Sequence, residues 1–203
     1  MRLSVISYCR ITNNKVIFNG KDLSVQRTDA SWLNDIYRSL NISYPKFFKM
    51  DNLSKAGFLA SELLLKNEIS DRESLKKDIS IVLMNRCASL DDDRMYQETI
   101  QDKENYFPSP AVFVYTLPNI VTGEIAIRNK ITGETSFFIS ETFSPEKIYY
   151  TTLHAFSDES ISRVICGWTD YELNNCNVLL LLISKENNKG IPFNINNIYN
   201  LHI

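Results

Sequence analysis

"TLPNIVTGEIAIRNKITGETSFFIS", Thr116 to Ser140, is the stretch on which the fold turns. Leu117-Pro118-Asn119 opens a run of apolar residues at helical spacing, Thr132-Gly133 ends it, and a short β-rich segment comes next. The fixed φ of proline suits a helix start, and glycine suits the turn after a helix end. The pattern predicts a helix feeding a buried strand. Any chemistry at the end of that strand would sit in the row "ISETFSPEK", Ile139 to Lys147.

Outward from this stretch, five segments read as strands: Leu3 to Cys9, Ile79 to Asn85, Ser136 to Ile139, Ile161 to Trp168 and Val178 to Ile183. Val16 to Phe18 is a small outlying strand before the turn signal Asn19-Gly20. "ISIVLMN" and "VLLLLI" are apolar almost throughout, which suits strands covered on both faces and points to a mainly parallel sheet between helical layers. Asp29 or Ser31 caps a helix running to about Leu40, before the breaker Tyr44-Pro45. In "NLSKAGFLASELLLKN", Leu53, Gly57, Ala60 and Leu64 share one helix face. Ser144-Pro145-Glu146 is a cap with proline at the first helical position, so Glu146 to Phe156 is a helix. The asparagine-rich tail after Asn187, with Pro192, reads as irregular or extended. The order is that of an α/β sandwich, and no repeat or linker divides residues 1–203.

Composition narrows the function classes. With 22 Lys+Arg against 24 Asp+Glu the net charge is −2, so no basic field recommends nucleic acid or an anionic membrane as partner. Cys9, Cys87, Cys166 and Cys176 form no CxxC pair and there are only two histidines, a set poor in zinc ligands. Reduced cysteines in or beside apolar runs behave as small hydrophobes. The N-terminus lacks the apolar core of a signal peptide, and "VLLLLI" is too short to span a bilayer. The reading is a cytoplasmic protein with no cofactor, no metal and no membrane insertion.

"YPKFFKMDNLSKAGFLASELLL", "IVLMNRCASLDDDRMYQETI" and "YFPSPAVFVYTLPNIVTGEIAIRNKITGETSFFI", in that order, resemble the N-terminal half of β-ketoacyl synthases. They look most like the divergent bacterial synthase-like proteins of aryl-polyene and related pigment pathways. The counterparts of that family's landmarks are Asn85 to Leu90, Ser109-Pro110, Leu117-Pro118-Asn119 and Gly133-Glu134. "RVICGWTDYE" and "NCNVLLLLISKE" resemble the last two strands of the first half. The likeness runs from Leu3 to about Lys189 and implies a thiolase-like half-fold with a five-stranded, mainly parallel sheet.

In such enzymes a cysteine thiolate stands at the helix N-terminus after the strand, where the helix dipole lowers its pKa and orphan N–H groups stabilise an oxyanion. Counting from Gly133, that position falls at Glu141 to Phe143, without a cysteine. Thr142 is the nearest hydroxyl, a weak nucleophile without a base beside it. The resemblance also implies that the family's catalytic histidines belong to a second half beyond this length. The expectation is a non-catalytic partner in fatty-acid or polyketide-type chain assembly. The alternatives are a free-standing binder of acyl carrier protein or acyl chains, and an acyltransferase with an unrecognised nucleophile.

Other residues carry weaker readings. His154 with Asp158 is a makeshift triad for Ser140 or Thr142, but it lies too far along its helix to reach back. Asp91-Asp92-Asp93 reads as a solvated loop capping a helix from Arg94. Lys46, Lys49 and Lys55, interleaved with Phe47 and Phe48, are candidates for contacting an acidic carrier protein. Phe137 and Phe138 point to opposite faces of a strand without charge or proline, which in the resembled enzymes lies at the dimer edge. With Pro118 and Asn119 they are the interface candidates for a homodimer, or for a heterodimer with a full-length ketosynthase.

Overall fold

The computed structural model describes residues 2–28, 31–186 and 190–203. Asp29, one candidate cap of the first helix, lies outside them, as do the residues from Asn187 to Lys189. Among the described residues the strands are β1 (Ser4–Thr12), β2 (Val16–Phe18), β3 (Lys21–Asp22), β4 (Ile79–Asn85), β5 (Thr135–Ile139), β6 (Arg163–Glu172), β7 (Asn175–Ser184) and β8 (Ile191–Pro192). The helices are α1 (Trp32–Ser39), α2 (Asn52–Leu64), α3 (Leu90–Glu98), α4 (Pro110–Phe113), α5 (Ile120–Asn129), α6 (Pro145–Ala155) and α7 (Ile195–His202).

The strands form one sheet in the order β3-β2-β1-β7-β6-β4-β5, with β8 beside β1. The sheet has eight strands rather than five, and it is mixed rather than mainly parallel. Only β4 pairs in parallel, with β5 and β6. The pairings β1–β2, β1–β7, β1–β8, β2–β3 and β6–β7 are antiparallel. The apolar runs reported burial on both faces, and that is independent of strand direction. β7 is buried along nearly its whole length yet runs antiparallel to both neighbours.

β7 alternates between two cores. Val178, Leu180 and Leu182 face a layer containing Leu33, Phe58, Leu63 and Ile125 of α1, α2 and α5. Leu179, Leu181 and Ile183 face Ile148 of α6 and Ile198 of α7. All six strand residues are fully buried, each contributing about 1.5–3 kcal/mol relative to exposure.

Helix α2 is buried nearly all round. A Cβ on Gly57 would meet Val121 Cγ2 of α5 at 2.4 Å, so glycine sets how closely the two helices approach. Glu62, buried on the same helix, is neutralised by Arg72 and by Arg128, whose Nε lies 3.0 Å from the carboxylate. Gly133 is required for a different reason than a turn. Its Cβ would lie 2.1 Å from the Ile79 carbonyl oxygen, so it lets the chain entering β5 press against the start of β4.

Three boundaries differ from the sequence reading. The aspartates lie within α3, in its first turn, instead of on a loop before Arg94. The tail has an extended piece, β8, but then forms the helix α7, capped by the Asn194 side chain accepting from Asn197 N–H at 2.9 Å. That signal, asparagine before Ile195, Ile198 and Leu201 at helical spacing, was present in the sequence. The β6–β7 connection is a two-residue hairpin turn at Leu173 and Asn174, with φ of 49° and 63°. Two left-handed residues define a type I′ turn, which ordinarily carries Asn-Gly, and leucine obscures it.

Leu173 is 71% exposed and strained in that conformation, so its side chain gains nothing in return. Leu173→Asn should raise the melting temperature by about 2–4 °C, roughly 1 kcal/mol, in a thermal unfolding measurement. An unchanged or lowered value would contradict the turn geometry.

Candidate functional site

The parallel strands β4 and β5 end side by side, with Asn85 opposite Ile139. The Ser140 N–H donates to the Asn85 carbonyl at 2.8 Å, holding the two exits together. The Asn85 side chain then clamps Ala88: its Nδ2 donates to the Ala88 carbonyl at 2.8 Å, and its Oδ1 accepts from the Ala88 N–H at 3.0 Å. Ala88 is left-handed, with φ of 51°. A buried asparagine at a strand exit thus shapes the loop beside the expected nucleophile position.

Glu141 and Thr142 are exposed between β5 and α6, and the Ser144 hydroxyl caps α6 by accepting from Lys147 N–H at 3.2 Å. Phe143 turns inward, stacked on His202 of α7 at 3.7 Å and edge-on to Trp168 at 5.9 Å. Among the described residues no hydrogen bond ties the Thr142 hydroxyl to a base. His154 is exposed and faces a groove at the other end of α6, so the makeshift triad is not assembled.

The polar contact that does form here is one the sequence reading missed. Lys147 Nζ donates to Ser140 Oγ at 3.0 Å, and Ser140 Oγ in turn donates to the Thr142 carbonyl at 2.9 Å. Serine–lysine pairs serve as nucleophile and base in some hydrolases. Here the serine proton points at a backbone carbonyl and the lysine acts as donor, so the pair braces the turn. The spacing of seven residues across a strand–helix turn was the available signal.

None of the four sulfurs is poised as a thiolate. Burial pushes the thiols of Cys9, Cys166 and Cys176 up, the last two to about 12. Cys87, beside the strand exits, is also pushed up to about 12, by burial and then by Glu172, whose Oε2 lies 3.0 Å from its sulfur. Arg86 and Arg94 pair with Glu172 at 2.9 and 3.0 Å, and the N–H groups of Arg86 and Cys87 both donate to Asp170 at 3.1 Å. Among the described residues no three His, Cys, Asp or Glu side chains converge as a metal-binding set. Nor is any single helix long and apolar enough to cross a membrane.

The three lysines have different fates. Lys46 is paired with the buried Glu124 at 2.7 Å, and Glu124 also accepts from Tyr115 at 3.3 Å. Lys55 is half-buried over the Phe47 ring, 5.8 Å from its centroid, and its pKa is lowered by burial. Lys49 is exposed, with no ion pair among the described residues. Phe47 is buried and stacked on Tyr37, leaving Phe48 outside.

Asp51 caps α2, accepting from Leu53 and Ser54 N–H groups at 2.9 and 3.2 Å. Asp92 of α3 hydrogen-bonds to it, and two buried carboxyl groups in contact retain a proton between them. Asp92 is the protonated partner, pushed up to about 8 by burial and then by the Asp51 charge.

No protein-family model matches this chain, and no curated protein matches it. Solved structures do. The ishigamide ketosynthase/chain length factor superposes with a TM-score of 0.67 at 13% identity, over 95% of this chain and 64% of that one. A ketosynthase (ApeO) in complex with its chain length factor (ApeC) from Xenorhabdus doucetiae gives 0.63 at 10% identity, over 100% and 90%. A type II polyketide synthase acyl-carrier protein in complex with its ketosynthase (AntDE:AntF) gives 0.63 at 14%, over 91% and 63%. The fold is therefore that of ketosynthase and chain length factor proteins, and this chain spans less than two thirds of two of these three.

The Asp51–Asp92 pair has a pH consequence. An acid whose pKa is higher in the folded than in the unfolded state stabilises the fold below the unfolded value, and loses that contribution as pH rises through the folded one. For Asp92 the window runs from about 4 in the unfolded chain to about 8. Asp92→Asn keeps a donor toward Asp51 and removes the titration. At pH 8.5 it should melt about 2–6 °C above the unmodified protein, with a smaller gap at pH 5.5. A gap independent of pH would refute the shared proton.

Proposed function

We propose that this chain is a non-catalytic, ketosynthase-like subunit of fatty-acid or polyketide-type chain assembly, pairing with a ketosynthase or with a second copy of itself. One observation carries the reading. In a ketosynthase fold the turn after β5 presents the reactive sulfur, and here it presents an exposed Thr142 with no base hydrogen-bonded to it among the described residues, while all four thiols are buried. Condensation on a thioester needs an activated nucleophile, and a threonine at its free pKa is not one.

The pairing surface is the edge of β5. Among the described residues β4 is its only neighbour, so one row of its backbone N–H and C=O groups has no strand beside it. Phe138 is 43% exposed on one face of the strand and Ile139 54% exposed at its end, while Phe137, on the face opposite Phe138, packs against the core. An apolar edge strand without charge, proline or bulge is a template for another strand. Phe113, Val114 and Leu117 add exposed apolar surface ahead of α5, beside the half-buried Pro118 and exposed Asn119. Two of the similar structures join a ketosynthase with a chain length factor, and the third holds a carrier protein. Any carrier-protein contact here rests on Lys49, since Lys46 and Lys55 are engaged within the chain. Four unpaired thiols accord with a cytoplasmic location.

Two measurements test the reading. Incubation with an acyl thioester, followed by intact-mass spectrometry, should give no covalent adduct; an adduct lost in Thr142→Ala would establish an acyltransferase instead. Phe138→Lys should convert an assembled species to a folded monomer in sedimentation analysis. A stable monomer of the unmodified protein at micromolar concentration, alone and mixed with a ketosynthase, would end the pairing proposal. Retention by carrier protein without a ketosynthase would favour the free-standing binder.

A further inference from the structure

Between α6 and the outer strands of the sheet lies a groove of about 340 Å³. It exists because small residues face one another across two layers. Val82 and Ser136 are register partners in parallel strands and so share a face, and Ser80 lies two residues before Val82 on that face. Ala155, on the helix above, is too short to fill the space. The rings of Phe138 and Tyr150, both exposed, also line the groove, so most of its surface is apolar.

The floor carries an unusual group. Ser80 is 1% exposed, and among the described residues its hydroxyl has no hydrogen-bond partner. Buried hydroxyls are nearly always paired, because burial strips the water that would otherwise pair them. This one lines the groove, where an incoming ligand atom is the partner it lacks. The charge of the lining restricts that ligand. Glu134 borders the groove, hydrogen-bonded by Ser136 at 3.3 Å, and the His154 imidazole lines it too, while among the described residues no lysine or arginine does. A carboxylate or phosphate entering would meet the like charge of Glu134 with no lysine or arginine to compensate, whereas a neutral group would not.

We propose that this groove is a binding site for a small neutral molecule with a narrow apolar body and one hydroxyl or carbonyl end that reaches Ser80. Its size and its lining, apolar walls with few polar groups, are those of small-molecule sites. The proposal does not rest on the assembly proposed above, although the two surfaces meet. Phe138 belongs to both surfaces, so Ser80 and Ala155 are the residues that separate them.

The test titrates the intact protein with three probes of one shape, 4-ethylphenol, ethylbenzene and 4-ethylbenzoate, following backbone amide shifts by NMR. Saturable binding of 4-ethylphenol at Ser80, Val82 and Ala155 is expected, with ethylbenzene about 3–10-fold weaker for want of the hydrogen bond. The benzoate should not saturate. Ser80→Ala should reduce 4-ethylphenol to the affinity of ethylbenzene and leave ethylbenzene unchanged, with no fall in melting temperature because the hydroxyl lost had no partner. Ala155→Phe should block 4-ethylphenol and ethylbenzene from the opposite wall; if that variant does not fold, the Ser80→Ala comparison still decides. No saturable binding to the unmodified protein, shifts centred elsewhere, equal affinity in Ser80→Ala, or benzoate binding as tightly as the phenol would each overturn the proposal.

Discussion

The burial of β7 on both faces constrains everything else in this structure. Six consecutive apolar residues in a strand cannot satisfy one core, because alternate side chains point to opposite sides of the sheet. Two helical layers must therefore form, α1, α2 and α5 on one face and α6 and α7 on the other. The antiparallel neighbours β1 and β6 join the same strand, one by distant pairing and one by a two-residue turn. β4, buried throughout, extends the sheet beyond β6 and reverses its sense to parallel.

That arrangement places the chemistry. β4 and β5 run in parallel, so their exits meet at one end of the sheet, where open α/β sheets build their sites. Asn85, Ser140 and Lys147 hold this corner rigid, and Phe143 is drawn under α7 by His202 and Trp168. The turn between the two elements at this corner, β5 and α6, leaves Thr142 exposed. Carboxylates packed between the helices are each answered by a partner: Glu62 by two arginines, Glu124 by Lys46, Asp51 by a protonated Asp92. Such groups are costly unless paired, so a basic patch or an acidic cluster read from sequence can turn out to be spent on internal neutralisation.

The outer margin of the sheet is where packing is least complete. Helix α6 covers β4 but leaves β5 with an open backbone edge and two exposed apolar side chains. The shortfall of volume between Ser80, Ser136 and Ala155 lies along the same margin. A strand edge and an orphan hydroxyl are different kinds of unmet bonding, one suited to another chain and one to a small molecule.

Elements whose signals are local were legible in the sequence. The β4 segment could be read from Ile79 to Asn85 because its apolar run has sharp ends, and α6 because Ser144-Pro145 carries a cap and a fixed φ. Strand direction was not legible, because a doubly buried strand is apolar whichever way it runs and Leu173 hid the turn that makes β6 and β7 antiparallel. Which charges were free was settled by tertiary contacts alone. Lys46 meets Glu124 and Asp92 meets Asp51 across gaps of 78 and 41 residues, separations that no local spacing rule reaches. Ser80 is the sharpest case. In sequence it is a small residue inside an apolar strand, and only the fold leaves its hydroxyl without a partner among the described residues, in a groove lined also by Ala155 and Ser136.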